Sequence, residues 1–110
     1  MESLYAQYLK ERTNDKIIEV KQGFLTYRYM DNNIVYIVDI FVLPEYRKAG
    51  WASSLANLVV GEAQGLGYKE LIGSVAPWAK GAHESILVLI AYGMKFHSCD
   101  KDLIVFKKEI

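Results

Sequence analysis

The residues of this sequence best suited to bind an anion lie in the stretch from Arg47 to Ser53, which reads R-K-A-G-W-A-S. Arg47 and Lys48 supply positive charge, and Gly50 has no side chain that would keep a ligand from the backbone. An apolar run precedes this stretch and a helix-forming run follows it, so unpaired backbone N–H groups at the helix start would attract a phosphate. The same residues could also form an ordinary helix start in which Gly50 only eases the turn.

A single carboxylate, that of Asp39, interrupts an otherwise apolar run of nine residues, I-V-Y-I-V-D-I-F-V. Burial of an unpaired carboxylate costs on the order of several kcal/mol, so a buried Asp39 requires compensation. In one interpretation, Asp39 faces a cleft with a perturbed pKa and acts as a base or orients a substrate. In the other, tyrosine, lysine or backbone groups within the fold satisfy the carboxylate.

Apolar spacing predicts the elements in the first part of the chain that would position these groups. Leu4, Tyr5, Tyr8 and Leu9 share one helical face, which predicts a short N-terminal helix. Three runs rich in β-branched and aromatic residues then predict an antiparallel meander of three strands: Ile17 to Val20, Phe24 to Met30 and Asn33 to Val42. Because the third run is apolar on both faces, we expect a central strand that is covered on each side.

The second part of the chain alternates helix and strand. Apolar positions from Ala52 to Leu66 predict a helix, and the run from Lys69 to Val75 predicts a strand. This strand–helix–strand order implies parallel pairing through a right-handed crossover. Ile86 to Ala91 is apolar all round and fits helix or strand; we assign a helix because the flanking residues offer a start and a stop. A last strand from Leu103 to Lys108, hairpinned to a short strand near residues 94–97, completes a mixed α/β sheet.

Length, composition and charge limit the class of protein. The 110 residues are 52% apolar and 24% charged, which favours one folded domain over residues 1–110. Thirteen basic and thirteen acidic side chains balance, so no net field favours nucleic acid or an anionic membrane as a partner. Cys99 is the only cysteine, and no Cys–His spacing typical of metal ligands occurs. The charged N-terminus and the lack of an apolar run of about 20 residues predict a cytoplasmic protein.

The order of elements around the turn resembles the GNAT N-acetyltransferases. The pattern R-x-x-G-x-A lies between an apolar strand and an amphipathic helix. The sequence segment IVDIFVLPEYRKAGWASSL is similar to the family's strand–turn–helix motif. The likeness continues through a strand ending at Val75, a second helix and Gly93-Met94, where the family usually has Gly-Phe. It covers residues 17–110 and implies the GNAT fold with a shortened N-terminal region.

The resemblance implies a V-shaped sheet in which the strands Asn33 to Val42 and Lys69 to Val75 splay apart to admit acetyl-CoA. The family's pantetheine arm would pair with backbone groups of Ile40, Phe41 and Val42, and an N–H near Val42 would face the thioester oxygen. Beside the charge of Arg47, the pyrophosphate would be held by N–H groups of Lys48, Ala49, Gly50, Trp51, Ala52 and Ser53. The implied reaction is direct acetyl transfer to a primary amine, with one residue as base and another as acid.

Two departures from the family pattern bear on catalysis. The family's usual tyrosine, four residues before Gly-Phe, is replaced by Leu89, and its usual asparagine near the start of the same helix is replaced by Ala82. Tyr92 and His83 could substitute, so with Asp39 they are the candidate catalytic residues. Alternatively, Tyr92 packs at a helix end and His83 is an exposed residue of a first turn. Two other functions stay open: a non-catalytic acyl-CoA-binding module that regulates a protein partner, and a fold relic that binds no nucleotide.

The short N-terminal region also bears on the acceptor, because the family usually has a strand and two helices before the meander. Part of the usual acceptor wall is therefore expected to be absent. A small amine needs enclosure to bind well, whereas a protein segment can spread its contacts over a shallow groove. We therefore expect a protein lysine or N-terminal amine as acceptor, or a homodimer whose second subunit rebuilds the wall. The aromatic residues Tyr27, Tyr29, Tyr36 and Trp78 would suit either surface.

Overall fold

The computed structural model describes residues 2–110, and its secondary structure follows the predicted order. The three strands of the predicted meander begin and end within one residue of the expected positions. The run whose periodicity fits helix or strand is a helix, and it begins four residues earlier than Ile86. In chain order the helices and strands are α1 (Leu4–Arg12), β1 (Lys16–Val20), β2 (Gly23–Met30), β3 (Ile34–Val42), α2 (Trp51–Gly65), β4 (Glu70–Val75), α3 (Ala82–Ala91), β5 (Lys95–Asp100) and β6 (Leu103–Glu109).

All six strands of the described residues belong to one mixed sheet with the order β1-β2-β3-β4-β6-β5. β3 and β4 are parallel, as the crossover through α2 predicted, and the other neighbours are antiparallel. The turn between β2 and β3 contains Asn32 and Asn33 at φ angles of 66° and 62°. Asparagine adopts this left-handed region more readily than most residues, which explains why the polypeptide reverses there.

The two faces of the sheet carry different helices. α2 and α3 lie on one face, where Leu55 and Val59 join the core with Val35 and where Leu89 lies against Gly73. α1 lies on the opposite face, where the ring of Tyr5 meets that of Phe24 with centroids 5.3 Å apart. We call these surfaces the α2–α3 face and the α1 face.

The expectation that β3 is covered on both faces is wrong. Val35 and Ile37 are buried on the α2–α3 face, but Tyr36 is half-buried and Phe41 is exposed on the α1 face. The physical reason is the length of α1, whose nine residues span roughly 14 Å at the helical rise per residue. α1 is therefore too short to cover the whole sheet on this face.

β3 and β4 pair over only four residue pairs, from Ile34 with Glu70 to Ile37 with Gly73. Beyond these pairs β3 continues to Val42 and β4 to Val75 without pairing to each other. A β-bulge leaves Val38 without a partner on β2, and such bulges bend a strand. The splay implied by the family resemblance is therefore present.

The splay divides the molecule into two arms. The first arm consists of β1, β2 and β3 with α1 and α2, and the second consists of β4, β6 and β5 with α3. Each crossover helix packs mainly on its own arm, since α2 contacts β2 and β3 whereas α3 contacts β4. The four-pair ladder between β3 and β4 is the backbone connection between the arms, and the gap above it is the candidate site.

Candidate cofactor and acceptor sites

The turn before α2 presents a row of free backbone donors. Among the described residues, the N–H groups from Lys48 to Ser53 have no hydrogen-bond acceptor, and the first helical bond is that of Ser54 N–H to the Gly50 carbonyl at 3.0 Å. Lys48 and Gly50 both have left-handed φ angles, 62° and 85°. Backbone that turns in this way forms concave rows of N–H groups that bind anions, and the helix dipole adds to the attraction.

Space in front of Gly50 is open. A Cβ atom built on Gly50 would meet no heavy atom within 4 Å, so the positive φ angle and not packing favours glycine here. No side chain caps the start of α2. Its N–H groups are therefore available to a ligand, which favours an anion site over an ordinary capped helix start.

The side chain of Arg47 is held by the end of β3. Its Nε atom donates a 2.8 Å hydrogen bond to the carbonyl of Val42, and its guanidinium carbon lies 5.5 Å from the ring centroid of Phe41. Arg47 therefore fastens the turn to the strand and leaves its charge beside the row of donors. Local sequence could not show this contact, because it depends on the path of the chain through the turn at Pro44–Tyr46.

An apolar cleft lies between the arms on the α2–α3 face. It adjoins the turn, since Ala52 and Ser53 line the cleft and also belong to the row of donors. Its volume is only about 10 Å³. The edge of β3 that faces β4 has no strand partner from Val38 onward, so its backbone groups are available along the cleft. The residues that line the cleft are Ile37, Ile40, Ala52, Ser53, Ala56, Val88, Leu89, Tyr92 and Met94.

The structure brings one candidate catalytic residue, Tyr92, to this cleft. Its hydroxyl donates a 2.7 Å hydrogen bond to Oδ1 of Asn57 on α2. The ammonium of Lys108 donates to the Tyr92 carbonyl at 2.9 Å and lies 4.5 Å from the centroid of its ring. Burial raises the pKa of the Tyr92 hydroxyl above its ordinary value. Tyr92 is therefore fixed from both sides and is neutral at physiological pH.

The structure does not bring His83 to the cleft. His83 is an exposed residue in the first turn of α3 and is not among the described residues that line the cleft. Leu89, which stands where the family usually has tyrosine, does line the cleft and offers no polar atom there.

Asp39 lies on the α1 face, because it pairs in register with Thr26 two residues from the pair of Phe24 and Phe41. It is exposed, because the α1 face is open at this point, so the compensation that a buried carboxylate would require is not needed. The surrounding protein still removes part of its hydration, which raises the pKa of Asp39, and the nearby Asp15 raises it further. Neighbouring Ile40 lines the cleft on the α2–α3 face, so Asp39 lies on the opposite face of β3 and does not line the cleft.

Two of the aromatic residues expected at the acceptor surface lie elsewhere. The hydroxyls of Tyr27 and Tyr29 both donate to the carboxylate of Glu62 on α2, at 2.9 and 2.8 Å. They fasten α2 to β2 on the α2–α3 face, and neither residue lines the cleft. Tyr36 does lie on the α1 face, and Trp78 is 70% exposed in the loop between β4 and α3.

Sequence reasoning missed two polar partners near the splay. Asn57 accepts the hydrogen bond from Tyr92, and Ser74 shares a hydrogen bond with the hydroxyl of Tyr36. The partners in these two bonds are separated by 35 and 38 residues. No local motif marks a serine or an asparagine for such a role.

Other kinds of site have little support in the described part of the chain. Residues 2–110 contain no group of three or more His, Cys, Asp or Glu side chains that could hold a metal ion. In the same residues no helix has the length and apolar character needed to cross a membrane.

Comparison with known proteins agrees with the arrangement of turn, splay and cleft. A sequence model of the Acetyltransferase (GNAT) family matches residues 6–85, which is most of the chain. The chain belongs to the GNAT acetyltransferase family. No curated protein sequence matches it.

Solved structures share the GNAT fold of this chain at low sequence identity. An N-acetyltransferase, PaiA, from Thermoplasma acidophilum in complex with coenzyme A has a TM-score of 0.76 at 13% identity, over 94% of this chain and 66% of that one. A Bacillus subtilis acetyltransferase in complex with CoA has a TM-score of 0.71 at 11% identity, over 94% and 83%. An IAA acetyltransferase from Bacillus cereus has a TM-score of 0.72 at 13% identity, over 100% and 85%. At such identities the likeness establishes the fold.

The residues of the site fit CoA. The free donors from Lys48 to Ser53 suit a pyrophosphate, and the unpaired edge of β3 suits the amide groups of a pantetheine arm. The apolar cleft adjoins both features and leads to the splay.

Proposed function

We propose that this GNAT family member is an N-acetyltransferase that transfers acetyl from acetyl-CoA to a primary amine. The observation that carries the proposal is the row of free N–H donors from Lys48 to Ser53, at an uncapped helix start beside the splay. Acetyl-CoA supplies the activated acyl thioester when bound. The protein contributes the anion site, the open edge of β3 and the splay between β3 and β4.

Each residue has a distinct part in this reaction. The turn binds the pyrophosphate, while backbone groups of Ile40, Phe41 and Val42 bind the pantetheine arm. An N–H near Val42 stabilises the negative charge on the thioester oxygen. Asp39 is well placed as base, because an exposed carboxylate with a raised pKa can accept a proton from an amine on the acceptor side. The C–N bond forms, the C–S bond breaks, and a proton returns to the thiolate from Tyr92 or from water.

For the acceptor, we propose a lysine or N-terminal amine of a protein. The supporting observation is the open α1 face, where Tyr36 is only half-buried and Phe41 is 41% exposed. A shallow surface of this kind suits an extended segment better than a small amine. A homodimer whose second subunit covers this face is the alternative arrangement.

The second candidate function is a non-catalytic module that binds acyl-CoA and regulates a protein partner. Leu89 favours it, because this residue places an apolar side chain in the cleft where the family usually has a tyrosine.

Calorimetric titration with acetyl-CoA, followed by thiol-release assays with peptides, polyamines and aminoglycosides, tests these proposals. Micromolar binding with thiol release on peptides is the expected result. Binding without release on any amine would favour the regulatory module, and absence of binding would contradict both functions.

A further inference from the structure

Side chains make few polar connections between the two arms. Within residues 2–110, only two side-chain hydrogen bonds cross from one arm to the other, those of Tyr36 with Ser74 and of Tyr92 with Asn57. The other side-chain hydrogen bonds and ion pairs join residues of the same arm. The four-pair ladder between β3 and β4 provides the backbone connection.

These two bonds differ in their distance from the ladder. Ser74 directly follows Gly73 of the last ladder pair, so the Tyr36–Ser74 bond lies beside the ladder on the α1 face. Asn57 lies on α2 and Tyr92 directly follows α3, so their bond joins the two arms at the cleft that Tyr92 lines on the α2–α3 face. If the arms move apart about the ladder, the helices separate more than Tyr36 and Ser74 do. The Tyr92–Asn57 bond is therefore the one that opening would break.

The cleft has to open to admit a ligand larger than water. Its volume of about 10 Å³ is close to the ~10–15 Å³ that one water molecule requires. Its walls come from both arms, with Ala52, Ser53 and Ala56 on α2, Val88 and Leu89 on α3, and Tyr92 directly after α3. A wider cleft therefore requires α2 and α3 to separate.

We infer that the Tyr92–Asn57 hydrogen bond is a clasp that holds the arms closed and that cofactor binding releases it. The inference rests on the proposed function, because it takes the cleft to be the path of the pantetheine arm. Closed protein must lose the clasp before it binds, so the clasp lowers the apparent affinity by the fraction of molecules that are open. Asn57 is then a positioning residue, and Tyr92, besides its proposed part in proton transfer, sets the width of the cleft together with Asn57.

Two variants remove the clasp from opposite ends, Tyr92→Phe and Asn57→Ala. Phenylalanine keeps the ring in the cleft, and alanine is a good helix former at the exposed position 57, so both variants should fold. Tyr29→Phe is the matched control, because it deletes a tyrosine hydroxyl bond of 2.8 Å to Glu62 that lies within the first arm.

The first measurement is the separation of α2 and α3 in the protein without cofactor. Spin labels at the exposed positions Leu58 on α2 and Leu87 on α3, with Cys99→Ser to remove the native thiol, report the separation of the helices. Tyr92→Phe and Asn57→Ala should lengthen or broaden the distance distribution, whereas Tyr29→Phe should match the parent protein. Distributions unchanged in both clasp variants would overturn the inference.

Affinity is measured second, by calorimetry with CoA. Loss of one neutral hydrogen bond from the closed state should tighten binding about 2- to 10-fold in both clasp variants and leave Tyr29→Phe unchanged. A larger distance between α2 and α3, together with unchanged or weaker CoA binding, would show that the bond does not oppose cofactor binding. That result would overturn the inference. If the distance between α2 and α3 increases in the clasp variants but neither the parent protein nor any variant binds CoA, the result would support the clasp and contradict the proposed function.

Discussion

α2 and α3 begin in the same way, yet only α2 begins with a continuous row of free donors. Gly50 and Gly81 precede the two helices with φ angles of 85° and 80°, neither start has a side-chain cap, and a Cβ at either glycine would meet nothing within 4 Å. At α3, however, the row is interrupted, because Ala82 N–H donates to the Ala79 carbonyl at 3.1 Å. A glycine at a helix start is therefore not sufficient for an anion site.

Charge separates the two starts further. The first turn of α3 contains Glu84, which opposes an anion, whereas the first turn of α2 has no acidic residue and follows Lys48. The preceding backbone and the nearby charges, more than the glycine, distinguish the two starts. This comparison supplies internal controls for the proposed cofactor site.

The largest expected effect comes from the same substitution at both starts. Gly50→Glu should weaken acetyl-CoA binding about 100-fold, because it places bulk and negative charge where the pyrophosphate would lie and removes charge-assisted hydrogen bonds. Gly81→Glu introduces the same backbone strain and should leave the affinity unchanged. Calorimetry and thermal shift with acetyl-CoA measure both variants. Equal affinities of the two folded variants would contradict the assignment of the α2 start.

The next largest effect is on catalysis by Asp39, which lies on the α1 face and not at the start of α2. Asp39→Asn should lower kcat about 100-fold while acetyl-CoA affinity stays constant, because it removes the base and not the anion site. Because the pKa of Asp39 is raised, activity of the parent protein should fall on acidification at a higher pH than an ordinary aspartate would give. Steady-state kinetics from roughly pH 4 to pH 8, a window that includes carboxyl pKa values, measure both the fall in kcat and its pH dependence. Asp31→Asn, at an exposed position in a turn, is the control variant. An intact kcat would assign Asp39 to the scaffold.

A smaller effect concerns the charge beside the row of donors. Lys48→Asn tolerates the left-handed φ angle of 62° and removes the charge, so acetyl-CoA binding should weaken about 5-fold, in keeping with an exposed charge. Lys80→Asn, just before α3, should have no effect. Titrations at low and high salt test the cause, because the difference at Lys48 should shrink as salt screens it. A loss that does not depend on salt would indicate a packing effect instead.

The smallest expected effect is on stability. A carboxyl whose pKa is raised by folding contributes stability below its unfolded pKa and loses that contribution as pH rises through its folded pKa. Asp39→Asn should therefore raise the unfolding temperature slightly at pH 7 and leave it unchanged near pH 3, about one unit below the usual aspartate pKa. Thermal denaturation at the two pH values measures the difference. A destabilised variant at pH 7 would show that the carboxylate has a stabilising partner in the fold.

Local features of the sequence were sufficient for the order and type of the elements. The period of apolar residues and the turn residues between runs are local, so the bounds of β1, β2 and β3 were predicted within one residue. The parallel pairing of β3 and β4 followed from the single helix between them. The stretch from Arg47 to Ser53 was found because a strand, a charged turn with glycine and a helix are adjacent in the chain.

Only the tertiary structure decided how exposed Asp39 is and which partners the polar side chains have. Whether a strand is covered depends on the length and position of α1, and the apolar run around Asp39 contains no information about either. Likewise, Arg47 donates to Val42, and Tyr92 donates to Asn57 across 35 residues of sequence. Hydrogen bonding of side chains is a short-range interaction in space, so its partners are set by how the elements pack and not by their order in the chain.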